Sequence, residues 1–323
     1  MFYFVKTKYL LFISVFFIIT GCGSSNVNVS SNDVSNERTN KITDYAGRTL
    51  EFSQPPKRII SLIPGDMEII HALGGEIVGR ANVDESAISE ALVHVPEVGN
   101  AHDINFEKVV SLKADLIIGH AGLNMKDVNT VESLGLKMLL SNSKSYETII
   151  ETIELYGKIL QKSSEAEALV QSLEEKKASV LTKVMNKDVQ ALIIYGTTES
   201  FMAALPSSLS GDLLALAGGT NIADHLPGID GYPDYAQLSM ERVIQSNPDV
   251  VYFITHGDPS TVRSKFESEL KANPSWKSVN AIINDNLVFL PYELFGTNPG
   301  PRIVEALDFL KESLIEVANK KEQ

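Results

Sequence analysis

The sequence predicts an α/β protein built from two similar lobes that one long helix joins, with a ligand cleft between the lobes. Three observations carry this expectation. Short aliphatic runs alternate with amphipathic stretches from Ile42 onward, which is the pattern of mostly parallel sheets flanked by helices. A motif in the first half recurs at matched spacing in the second. Between the halves, 163–186 has helical periodicity and neither Gly nor Pro.

In chain order, 1–21 reads as an export signal. Lys6 and Lys8 precede an apolar run over 10–19, which is far shorter than the ~20 residues a spanning helix needs. The run ends in Ile19-Thr20-Gly21-Cys22, which resembles the bacterial lipobox, and Cys22 is then the lipidated residue. One acyl chain anchors weakly, so two or more on one cysteine make physical sense. Residues 22–41 form the lipidated cysteine and a disordered tether. Over 23–40, ten of eighteen residues are Ser or Asn and only three are Val, too little apolar surface to offset ordering. Fully extended, that tether reaches ~60 Å at ~3.5 Å per residue.

The N-terminal lobe spans 42–162, with strands expected over 58–62, 76–79, 116–119 and 138–140. Helices are expected over 68–73, 106–112, 125–134 and 146–160. The bridging helix spans 163–187, capped by Ser163 or Ser164, with Ala166, Leu169, Val170, Leu173, Val180 and Val184 on one stripe. A single rigid helix implies little hinge motion between the lobes. The C-terminal lobe spans 188–323, with strands over 189–195, 249–253 and 287–290. Its helices are expected over 210–217, 240–246, 260–272 and 301–316.

The repeat pairs Asn105-Phe106-Glu107-Lys108-Val109-Val110 with Ser239-Met240-Glu241-Arg242-Val243-Ile244. Each Glu is followed eight residues later by an Asp, Asp115 or Asp249, that opens a strand. Either Glu alone reads as a complement to its helix dipole; the matched pair points to a shared role.

Composition excludes several classes. A net charge of −13 argues against nucleic acid as a partner. One cysteine rules out a disulfide framework, a Cys-rich zinc site and a Cys-ligated iron–sulfur cluster. No His-Glu-x-x-His, P-loop, Gly-x-Ser-x-Gly or dinucleotide fingerprint is present, so the chain is not expected to be an enzyme. An extracellular metal-dependent enzyme is the rival from another class. A zinc or manganese receptor would need several His converging on one ion, and the six His here are scattered.

Arg58-Ile59-Ile60-Ser61-Leu62 followed by Glu68-Ile69 and Ala72-Leu73-Gly74, the two Glu segments and Leu214–Ile222 together carry a resemblance. With the bridging helix, they resemble the substrate-binding lipoproteins of ABC importers, in the helical-backbone branch that receives ferric siderophores, cobalamin and haem. The resemblance implies two Rossmann-like lobes of the class III periplasmic-binding-protein plan. It implies a monomer, lipid-anchored through Cys22 on the extracytoplasmic face of the cell membrane, that serves an ABC permease with its ATPase. It further implies that Glu107 and Glu241 dock on that permease.

The C-terminal lobe resembles most closely the haem receptors of staphylococcal-type iron-regulated surface-determinant systems, through His256-Gly257, Trp276-Lys277 and Phe295-Gly296 with Asn298. That implies haem as the transported ligand, its iron held by His256 and by a methionine of the N-terminal lobe. Met67 is the candidate, although an ungapped count from Arg58 puts Glu68 at the matching position, one residue or ~100° around the helix away. A ferric-siderophore or cobalamin receptor is the alternative within the family.

From the residues themselves, His256 follows the run Val251-Tyr252-Phe253-Ile254-Thr255, at the carboxyl end of a strand where open α/β sheets bind ligands. Neutral imidazole is a good iron ligand. Met67 is either a core residue or a cleft-edge ligand. His120 also follows a strand and is the alternative ligand opposite His256. Arg80 and Tyr195, at strand ends, and Tyr292 are cleft candidates by position only, an arginine fork being suited to carboxylates.

Overall fold

In the computed structural model of the protein, the described residues are 40–255 and 259–321. The signal stretch, Cys22, the tether as far as Thr39, and His256 lie outside the described residues.

Buried aliphatic runs become the strands. A hairpin of β1 (Asn40–Thr43) and β2 (Thr49–Phe52) opens the described chain, so Asn40 and Lys41 belong to a strand rather than to the tether. It is followed by β3 (Ile59–Ser61), β4 (Ile77–Arg80), β5 (Leu116–His120) and β6 (Lys137–Ser141). These four form a wholly parallel sheet in the order β4-β3-β5-β6. The second lobe contains β7 (Gln190–Gly196), β8 (Phe201–Ala204), β9 (Thr220–Asn221), β10 (Tyr235–Gln237), β11 (Val250–Thr255) and β12 (Leu287–Phe289). Their order is β10-β8-β7-β11-β12 with β9 on β7; β8 alone of these strands runs antiparallel to the rest.

Every strand expected from the sequence is present, with ends moved by two residues at most. The hairpin and β8, β9 and β10 were not expected. They are two to four residues long, below the length at which periodicity registers.

Helices cover the sheets. The helix Tyr146–Leu160 starts in a capping box between Ser145 and Thr148 and ends at Gln161 in the left-handed region. The helix between the lobes covers Ser163–Leu181, five residues fewer than its periodicity predicts, or ~28 Å at 1.5 Å per residue. It stops where Thr182 turns its hydroxyl back onto Ser179 O, and Val184 is left 74% exposed rather than on the buried stripe. Neither expected serine caps it: Lys162 holds the cap position, and Ser164 Oγ donates instead to Glu165. Among the described residues, no helix is long and apolar enough to cross a membrane.

The core does not stop at the lobe boundary. Ile153 and Tyr156 of the first lobe, Ala166, Leu173 and Val180 of the connecting helix, and Ile193, Leu214 and Leu307 of the second form one buried cluster. The opposite faces of the two sheets have separate cores, around Ile117 and Val131 in the first and around Phe253 and Phe266 in the second.

Where helix Pro64–Ala72 meets the turn Gly300–Arg302, two glycine backbones pack together. A Cβ on Gly65 would collide with Asn298 O, and one on Gly300 would lie 2.5 Å from Gly65 O. Beside this contact, fully buried Asp66 accepts bonds from Tyr156 Oη at 2.8 Å and from Asn298 Nδ2 at 3.3 Å. Burial pushes its carboxyl from the ordinary 3.8 up to about 6, against the opposing bonds from Ser141 and Tyr156. A carboxyl raised in the fold costs more to ionise there than in the unfolded chain. Its effect on stability therefore sets in as pH rises from 3.8 to about 6, on the order of 3 kcal/mol. Urea midpoints should fall across that window in the wild type. Asp66→Asn should flatten the profile there, and a profile unchanged by Asp66→Asn would contradict this account.

Candidate functional site

Parallel pairing sets β3, β5 and β6 in one lobe, and β7 and β11 in the other, with carboxyl ends together, the edge at which open α/β sheets take ligands. β5 ends in His120, β7 ends in Tyr195-Gly196, and β11 ends at Thr255, directly before His256 in the sequence.

His120 has a defined chemical state. It caps the short helix Ala121–Asn124, its Nδ1 accepting from Gly122 N at 3.1 Å. A neutral imidazole whose Nδ1 accepts must hold its proton on Nε2. Burial pushes its pKa below 6.5, against a hydrogen bond with Asn142 and the charge of Asp234. At neutral pH His120 therefore presents an N–H donor rather than a lone pair.

Asp234 comes from the opposite lobe. Its Oδ1 lies 3.1 Å from Lys144 Nζ, which makes an ion pair across the lobes. Both side chains are partly exposed, so the pair contributes only about 0–1 kcal/mol. Next in sequence, Tyr235 sets its ring 4.9 Å from that of Tyr195, tilted by 47°. Burial pushes the Tyr195 phenol well up, and Tyr235, Tyr292 and Tyr232 add to the effect. Tyr235 is pushed to about 12 by burial and by Asp234. Burial, then the charge of Asp84 in the first lobe, raises Tyr292. Its helix, Tyr292–Phe295, packs against the turn Glu85–Ala87 of that lobe. The phenols are thus neutral, fit for stacking and hydrogen bonding.

The structure thus brings His120, Tyr195 and Tyr292 into one neighbourhood and adds Asp84, Asn142, Lys144, Tyr232, Asp234 and Tyr235. One signal for the added tyrosines was in the sequence: Gly231-Tyr232-Pro233-Asp234-Tyr235 places two aromatics in a Gly/Pro-broken loop, where a core role is not expected. Lys144 and Asn142 had no such signal.

Two expected residues are placed differently. Arg80, expected at the cleft, is turned inward and is 3% exposed. Its guanidinium donates to Ala81 O and Val93 O and pairs with Glu97 at 3.0 Å, fastening the segment after β4. Met67 is 1% exposed and packs under Ile88 and Leu92, as a core methionine does. Glu107 and Glu241 are both exposed in the first turns of their helices. Cys22 and His256 lie outside the described residues. Among the described residues, no group of three or more His, Cys, Asp or Glu is arranged to hold a metal ion.

Comparison with known proteins agrees with this architecture. The family model for periplasmic binding proteins matches residues 59–294. The chain is 25% identical over 285 residues to the uncharacterized ABC transporter substrate-binding lipoprotein YvrC of Bacillus subtilis, covering 84% of each chain. It is 27% identical over 276 residues to the Fe(3+)-citrate-binding protein YfmC of the same organism, covering 83% of each. The crystal structure of Staphylococcus aureus IsdE complexed with heme superposes with a TM-score of 0.71 at 24% identity, over 80% of this chain and 98% of that one.

The state of His120 can be read directly. Long-range proton–nitrogen spectra should show its neutral form protonated at Nε2, with a titration midpoint below 6.5. A neutral form protonated at Nδ1 would contradict the capping bond.

Proposed function

The chain belongs to the periplasmic binding protein family, a family of binding proteins rather than enzymes, and on that premise we propose that it is the receptor of an ABC importer for an iron-containing ligand. In this reading Cys22 carries the lipid anchor on the extracytoplasmic face, the protein works as a monomer, and Glu107 and Glu241 dock on a permease driven by its ATPase. The ligand we assign is haem.

The observation that carries this reading is the convergence of His120 with Tyr195, Tyr235 and Tyr292 between the lobes. Haem offers a wide flat apolar face with two carboxylates at one edge. Neutral phenols suit the face. The Nε2–H of His120 and the ammonium of Lys144 suit the propionates. Lys144 already pairs with Asp234, a poor match for a chelate of high negative charge. The names of the relatives agree on iron, as ferric citrate for one and as haem for another.

His256 is assigned as the imidazole ligand of the iron. Met67 serves opposite it only once the segment carrying Ile88 and Leu92 lifts from its thioether. The burial of Met67 favours a second reading, in which tyrosines and hydrogen-bond donors hold a ferric siderophore without ligating the iron.

Titrating the purified soluble domain with haemin separates the two. The expected result is a shifted Soret band that His256→Ala abolishes and Met67→Ala alters. No shift, or a shift indifferent to His256→Ala, would sink the haem assignment. A second expectation concerns docking: Glu107→Ala with Glu241→Ala should leave ligand binding intact and abolish uptake. Normal uptake in that double variant would remove the docking role.

A further inference from the structure

The internal repeat has a structural counterpart that extends beyond its two glutamates. Helices Phe106–Ser111 and Met240–Ser246 each run into an inner strand of their sheet, β5 and β11, that lies next to an edge strand. The residue opening each strand bonds to the neighbouring strand in the same way: Asp115 N donates to Arg58 O at 2.9 Å, and Asp249 N to Gln190 O at 2.8 Å. Their carboxylates share one partner position, Asp115 accepting from the amide of Arg58 and Asp249 from that of Gln190; Asp115 also accepts from Lys57 N, and Asp249 also pairs with Lys321. The two helices are therefore equivalent parts of the two lobes.

Their side chains are disposed alike. Phe106 and Met240 are half-buried, Glu107 and Glu241 exposed, Lys108 and Arg242 exposed, and Val109 and Val243 buried. At the next position the sequence continues with an aliphatic residue on both helices. Val110 is 51% exposed and Ile244 is 43% exposed. Each sits three residues after its Glu, the spacing that makes two side chains neighbours on one helix face. Neither is part of the core, to which Val109 and Val243 belong. A single exposed aliphatic is ordinary; the same one beside the same carboxylate on both lobes is a duplicated feature.

We propose that Val110 and Ile244 are contact residues of the permease interface, each forming with its neighbouring Glu a carboxylate-plus-aliphatic knob that seats in one of two equivalent sockets. The occupant is a membrane partner with twofold-related sites, each with a basic group beside an apolar hollow, because the surface it meets is itself duplicated and acidic at both points. The proposal rests on the receptor reading above. It adds a division of labour: exposed Glu pairs steer and are screened by salt, whereas the buried aliphatic contact is not.

The test is binding of the purified chain to its permease–ATPase complex in nanodiscs, measured by interferometry over a salt series. Val110→Ser and Ile244→Ser should each weaken docking about tenfold, the loss expected from removing one buried aliphatic side chain. The dependence on salt should stay as in the wild type. Glu107→Gln and Glu241→Gln should instead flatten that dependence. Thermal midpoints of the Ser variants should match the wild type, since both positions are half exposed. If the double Ser variant docks as the wild type while the Gln variants are impaired, this inference falls and the receptor reading stands. If the wild type itself does not dock, the receptor reading falls and takes the inference with it.

Discussion

The arrangement of the molecule depends on the two lobes sharing one hydrophobic core. A linker alone would leave the carboxyl ends of β5 and β7 free to separate. Instead Ala166, Leu173 and Val180 of the connecting helix are buried together with residues of both lobes. The glycine contact at Gly65 and Gly300, and the bond from Asn298 to Asp66, lock the same junction at a second point. A third link joins them: Tyr146 N, at the start of helix Tyr146–Leu160, donates to Asp212 of the second lobe at 2.8 Å. His120 and Tyr195 therefore lie either side of Asp234 and Tyr235 because the fold behind them is continuous.

That continuity also ranks the contacts at the cleft itself. The Lys144–Asp234 pair is exposed enough to be worth about 0–1 kcal/mol, while each aliphatic side chain buried in the junction is worth about 1.5–3 kcal/mol. The pair therefore does not hold the lobes together. Its effect is electrostatic and local: it pairs Lys144 with Asp234, the carboxylate that acts on His120 and helps to keep the Tyr235 phenol protonated.

The parts of this arrangement visible in the sequence were those with a strong local signature. Buried parallel strands announce themselves as aliphatic runs, and helix Tyr146–Leu160 announces itself by an amphipathic pattern behind a Ser cap. The bridging helix was visible in position but not in length, because periodicity counts Val184 as buried and only tertiary contact decides that. Residues at strand ends were legible as candidates, but their side-chain directions were not. Arg80 and Tyr195 both end strands, yet Arg80 turns inward to Glu97 and Tyr195 turns to Tyr235. Nothing local separates these outcomes. The choice is made by partners 17 and 40 residues further along the chain. Met67 shows the same limit: its place at a helix start suggested a cleft edge, and Ile88 and Leu92, from a separate segment, cover it.

The covering of Met67 leads to one more step. With a shared core behind the lobes, wide hinge opening would expose apolar surface along the whole connecting helix, at a cost that grows with its area. A local movement costs far less. The segment between β4 and the helix Phe106–Ser111 contains only the turn Glu85–Ala87 and one turn of helix, Glu90–Val93, and its Ile88 and Leu92 are buried with Met67, with Val83, Val93 and Val95 packed beside them. That segment also packs against the helix that begins at Tyr292. Lifting it would uncover a thioether on one lobe and free a phenol on the other while leaving the junction intact. Its inner edge is fastened by Arg80, which bonds Val93 O and pairs with Glu97. Uncovering Met67 through that segment thus costs less buried area than opening the angle between the lobes.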